Sequence, residues 1–173
     1  MTTFDFGSGS VPAHRHCNGG GWVADTAFVA DTAFVACNAR VFDNARVLGH
    51  ATVQGNAQVF GNAMVFGNAV VYDNARVFNN ALVYGNAQVF GNAMVYGSAR
   101  ASRDAMVFEN AMVFDTAWVF DDARVFGNAM VYGNAQVFGN AMVFENAMVF
   151  DTAWVSSNTH VSGDTIVSGD VRM

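Results

Sequence analysis

The chain has 173 residues and a formal net charge of −6, and its eight basic residues are all arginine, so it offers no basic stripe for phosphates and no nucleic-acid partner is expected. Hydrophobic residues make up 53% of it, yet no apolar run approaches the roughly 18 residues needed to cross a bilayer, and no transmembrane segment is expected. The start, Met1 to Ser8, has neither the basic nor the apolar region of a secretory signal, which points to cytoplasmic synthesis and leaves phage association or another export route open.

Residues 1–22 stand outside any pattern. Gly7-Ser-Gly-Ser10, the single proline Pro12 and Gly19-Gly-Gly21 give this stretch loop character. It is expected to form an N-terminal cap over the rest of the chain, with Phe4, Phe6 or Trp22 as the plug. His14-Arg-His16-Cys17 sets imidazole and thiol ligands side by side, but four residues on a tail are a weak metal site and no metal is assigned. Cys17 and Cys37 are too few for a disulfide framework and are expected as free thiols.

Residues 23–173 are a repeat. Alanine recurs at every sixth position from Ala27 to Ala153, with valine two residues later in nearly every copy. The unit is Ala-x-Val-aromatic-(Gly/Asp)-(Asn/Thr), as in Ala57-Gln-Val-Phe-Gly-Asn62. Six residues cannot hold a helix pair, and helical faces would smear at that period. A short strand and a corner fit. Side chains alternate along a strand, so Ala and Val share one side. The opposite side carries the second position, which is Arg40, Arg46, Arg76, Gln58 or Gln88 in some copies and cannot be buried repeatedly without partners. Ala and Val therefore point inward, and the second-position residues and the aromatics outward. Gly, Asn, Asp and Thr supply the corner.

Strand, corner, strand, corner predicts an all-β, single-stranded, three-sided parallel β-helix of about eight coils, each about 18 residues long and stacked about 4.8 Å apart. Ala105 to Val119 recurs unchanged at Ala141 to Val155, two coils on. Folding at that period also lines up Asn38, Asn56, Asn74, Asn92, Asn110, Asn128 and Asn146, whose amides can bond along the column. Acidic corners such as Glu109 and Glu145 are spaced apart by Gly127.

The unit resembles the hexapeptide repeat of left-handed parallel β-helix proteins, with an aliphatic residue first and a small residue fifth, as in Val59-Phe-Gly-Asn-Ala-Met64. Its second position departs from that pattern, being Phe or Tyr where the family has a small or acidic residue. In this it looks like uncharacterised Asn-Ala-x-Val-aromatic-Gly arrays of bacteria and phages. Left-handedness is what the resemblance implies; crossover physics alone favours the right hand, as in bactofilin-like helices.

Ser98 to Asp104 keeps the register but has Ala101 for valine and Ser102 for the aromatic, so that side is expected to be underpacked and soft. Arg103 falls one coil from Asp121 and an ion pair is expected there. Beyond Val155 the aromatics give way to Ser156, Ser162 and Ser168, and the inner alanines to Thr159 and Thr165. Nothing after Thr165 looks able to cover the last coil, which is expected to meet another chain end to end.

Catalytic candidates are thin. Acyltransferases of the resembled family imply a catalytic histidine beside an inserted loop, and neither His50 nor His160 has one. Zinc sites of the γ-carbonic anhydrase type need three converging histidines, and the spacing here does not provide them. Ice binding calls for flat arrays of outward threonine, whereas Thr26, Thr32, Thr116 and Thr152 are corner residues. No cofactor, catalytic residue or small-molecule substrate is assigned. The distinctive feature is the outside: Met94/Tyr96, Met112/Phe114, Met130/Tyr132 and Met148/Phe150 make an apolar face over four consecutive coils. Such stripes are expected to exceed what monomers leave open. The expectation is a structural, self-associating homo-oligomer or filament block; the alternative is a module docking a protein, glycan or ice surface, with an acyltransferase-like enzyme third.

Overall fold

A computed structural model describes residues 2–173. The elements are β1 (Thr3–Asp5), β2 (Ser10–Arg15), β3 (Trp22–Ala24) and then two-residue strands every six residues, from β4 (Phe28–Val29) and β5 (Phe34–Val35) to β26 (His160–Val161) and β27 (Ile166–Val167). They form three sheets. One runs β1-β2-β3-β6 and then every third strand to β27; the others run β4 to β25 (Trp154–Val155) and β5 to β26, eight strands each. From β3 onward neighbours are parallel with a register of 18 residues, as in Val41↔Val59 and Val95↔Val113. The chain is a three-sided parallel β-solenoid of about eight coils, and the period read from the sequence is the period of the fold.

The Ala/Val core is as expected. Every inward alanine and valine from Ala33 to Val155 is fully buried, Ala101 included. A column of small side chains has no slack, because each coil repeats the same narrow cross-section.

The corners carry a second rule. The residue after the aromatic adopts the left-handed conformation, including ten that are not glycine, such as Asp73 (φ 59°), Glu109 (φ 59°) and Asp115 (φ 57°). Each non-glycine there costs roughly 1–2 kcal/mol. The corners also stack closely: a Cβ on Gly127 would lie 2.7 Å from the backbone nitrogen of Glu145. In the two columns that hold Glu145 and Asp115, left-handed corners with a side chain therefore alternate with glycine. That glycine serves a further purpose. The Glu109 carboxylate accepts the N–H of Gly127 at 2.9 Å, and Asp43 and Asp115 do the same with Gly61 and Gly133 at 3.0 and 3.2 Å. An acidic corner thus clamps the coil above it, an offset to its strained backbone. Only in the third column do two left-handed corners with side chains meet, Arg103 beneath Asp121, and there they form the expected ion pair.

The asparagine column is also present, with its amide ladder starting at Asn56 and not at the expected Asn38. Amides donate coil to coil from Asn56 through Asn74, Asn92, Asn110 and Asn128 to Asn146, at 3.1–3.2 Å. Every Nδ2 donates toward the C-terminal end, and the last bond ends on Asp164 at 3.0 Å. A carboxylate only accepts, so it fits the receiving end of a polar column.

The N-terminal segment differs from the loop-like plug expected of it. Residues 3–15 form an antiparallel hairpin, and β2 pairs antiparallel with β3. The base of the core is covered by residues 16–21 instead of by an aromatic plug. Val35 is bonded through its N–H to Asn18 and through its carbonyl to Gly21, and buried His16 sets its Nε2 3.0 Å from the Ala33 carbonyl. Only glycine permits this approach, since a Cβ on Gly19 would lie 2.4 Å from the Val35 oxygen. At the other end, Val171 and Met173 bond Trp154 and Ser156, so β25 is covered where no cover was expected. β26 and β27 have no outer neighbour among the described residues.

Candidate functional site

The apolar face is built by four strands of the largest sheet: β15 (Met94–Val95), β18 (Met112–Val113), β21 (Met130–Val131) and β24 (Met148–Val149). Their register sets Met94, Met112, Met130 and Met148 in one row. Two residues on, Tyr96, Phe114, Tyr132 and Phe150 stack at 4.8–5.0 Å between ring centroids with planes within 9°. The sequence placed all eight residues together, and the fold brings them together.

Their exposure is less than the sequence suggests. All eight are half-buried; Tyr96, Phe114 and Tyr132 are each covered above and below by rings of their own column, and Phe150 on one side. The large apolar side chains most open to solvent are outside these eight: Phe28 at 54%, on another sheet, and Ile166 at 57%, which extends the methionine row one strand beyond Met148. The ladder also runs beyond the four coils, down through Phe78, Phe60 and Phe42 to Phe6 of the hairpin, whose ring lies 4.9 Å from Phe42. β3 ends in Ala24 where the next ring is due, and Phe6 occupies that place; the sequence offered Phe6 as a core plug. Toward this end Arg76 lies over Phe60 and Phe78, at 5.1 and 5.4 Å, so charge bounds the Met/aromatic face. Burial, and then the Asp115 carboxylate, raise the Tyr96 pKa above the ordinary phenol value; burial and then Asp73 do the same to Tyr72.

Other candidates disperse. His14 sets Nδ1 2.9 Å from Asp25, His16 turns in to Ala33, and the Cys17 thiol faces Asp31, so the three candidate ligands have three different partners. No group of three or more His, Cys, Asp or Glu side chains able to hold a metal occurs among the described residues. Cys17 and Cys37 are exposed free thiols. No helix of the described residues is long and apolar enough to cross a membrane.

Sequence reasoning missed one feature, a groove of about 670 Å³ between the hairpin and the first corners. Its lining includes Phe6, Val11, Asp25, Phe42, Asp43 and Asn44. Ala24, in an aromatic position, was the available signal.

A family model described as YdcK Beta solenoid repeat matches residues 57–73, 71–85, 87–103, 123–137 and 135–149. The matched segments all lie in the coils, and they support a β-solenoid repeat without reaching the narrower hexapeptide-repeat resemblance. No curated protein and no solved structure matches the chain.

Proposed function

We propose that this protein is a structural building block, a stiff β-solenoid that associates laterally with copies of itself through the Met94/Tyr96 to Met148/Phe150 face. The supporting observation is the flat, in-register double row of methionine and aromatic side chains, half-buried and free of outward charge over four coils. Ring stacking keeps such a face rigid, so little side-chain entropy is lost when a second copy covers it. Methionine adapts to small mismatches between two such surfaces. Lateral contact is favoured over end-to-end stacking at the N-terminal end, since the hairpin and residues 16–21 occupy the outer sides of β3 and β5.

Replacing both Met112 and Met130 by Glu places unpaired charge in that contact and leaves the Ala/Val core untouched. Light scattering of the folded double variant is expected to give a lower mass than the parent chain. An unchanged mass above that of one chain excludes this face, and a parent chain that is monomeric at high concentration excludes self-association.

A further inference from the structure

We propose that the groove between the hairpin and the first corners is a binding site for an organic ammonium group carried on an apolar body. The groove arises because the hairpin lies across the place where Ala24 leaves the aromatic column one ring short. Its floor is apolar: Phe6 and Phe42 are each under a tenth exposed, and Val11 and Pro12 of β2 form the opposite bank. Its charged wall is acidic, with the Ser8 hydroxyl and the Asn44 and Asn62 amides as its neutral polar groups. Asp25 and Asp43 are exposed carboxylates on the same side. His14 meets Oδ1 of Asp25, and Gly61 meets Oδ2 of Asp43, so among the described residues each carboxylate keeps one oxygen for a ligand.

The polarity of the corner column strengthens this. Among the described residues that line the groove, Asn44 and Asn62 alone carry a side-chain nitrogen, and each gives one N–H up the column: Asn44 Nδ2 to Asn62 at 3.4 Å, and Asn62 Nδ2 to Asn80 at 3.2 Å. The first bond runs along the groove wall and the second leads out of it, so both donations run toward the C-terminal end of the column. Among the described residues no side-chain donor reaches Asn44 Oδ1, because Thr26, one coil below, gives its hydroxyl to the Asp43 carbonyl instead. The column therefore begins at the groove with a bare acceptor beside two carboxylates. A ligand that satisfies this wall must bring several N–H donors and positive charge, and its body must cover the apolar floor. An anion is repelled, and a neutral apolar molecule gains only the floor.

The test uses the full chain with phenethylamine, 2-phenylethanol and phenylacetate as probes, followed by amide NMR titration. Phenethylamine is expected to saturate, with shifts centred on Thr26, Asn44 and Gly61. The alcohol is expected to bind about tenfold more weakly, and phenylacetate not to bind. Asp43→Asn keeps the oxygen that accepts the Gly61 N–H and suits a left-handed corner; it is expected to weaken the amine about fivefold while leaving the alcohol unchanged. Val11→Arg, at an exposed hairpin position, is expected to abolish amine binding by placing a cation in the groove. Equal affinity for amine and alcohol, no effect of Asp43→Asn on the amine, shifts centred elsewhere, or no saturation by about 20 mM would overturn the proposal.

Discussion

Two of the three outer faces solve the same stacking problem differently. On the largest sheet, Phe6, Phe42, Phe60, Phe78, Tyr96, Phe114, Tyr132 and Phe150 form an unbroken column. On the sheet of β4 to β25 the column stops, with Phe66 on Tyr84 below Ser102, and Phe120 on Phe138 above it. The gap was expected to be underpacked and is not. Ser102 is 1% exposed, because Trp118 of the next coil covers it, donating Nε1–H to Ser102 Oγ at 3.1 Å with its indole 4.5 Å from Phe120. A vacancy in one column is filled from the neighbouring column, just as Phe6 fills the place left by Ala24. Both repairs bring in a side chain from outside the aromatic column, Trp118 from the second position of the repeat and Phe6 from the hairpin.

If the faces differ only in their outer columns, the core behind them responds alike. Ala129→Leu behind the continuous column and Ala117→Leu behind the repaired one should each overpack a fully closed cross-section, costing about 3 kcal/mol or more. Thermal unfolding checks this, and a variant with the parent's melting temperature means that the inside and outside are misassigned. A smaller effect, about 2 kcal/mol, is expected from Trp118→Ala, which uncovers Ser102 and removes the indole from Phe120. In that background Ser102→Phe should recover much of the loss by completing the run from Tyr84 to Phe138. Failure to recover would mean that the indole does more than fill the gap.

The smallest effect concerns the phenols of the ladders. The raised pKa of Tyr96 and Tyr72 means that the folded chain holds these protons more tightly than the unfolded one. Stability from this source is fully present below the unfolded value of about 10 and is lost as pH rises through the higher folded value. Denaturation midpoints should therefore decline above about pH 10. The decline should be shallower in a Tyr96→Phe, Tyr72→Phe chain, and an identical decline in both chains would show that the ladder phenols are not its source.

The amino-acid sequence by itself determined the architecture. A period of six with alternating burial leaves one way to bury alanine and valine, and the identical segments two coils apart set the coil at 18 residues. The asparagine column, the spacing of acidic corners by glycine and the Arg103–Asp121 pair come with it, because in a solenoid the residue stacked on any other is known from the register. Tertiary structure alone decided whatever crosses from one column or segment to another. His16 and Gly21 at the base, Phe6 on the outer ladder, Trp118 over Ser102 and the groove beside Asp43 all depend on side chains leaving their own register. A periodic pattern specifies contacts between equivalent positions; contacts between inequivalent ones depend on the shape of the space left over, which exists only once the coils have stacked.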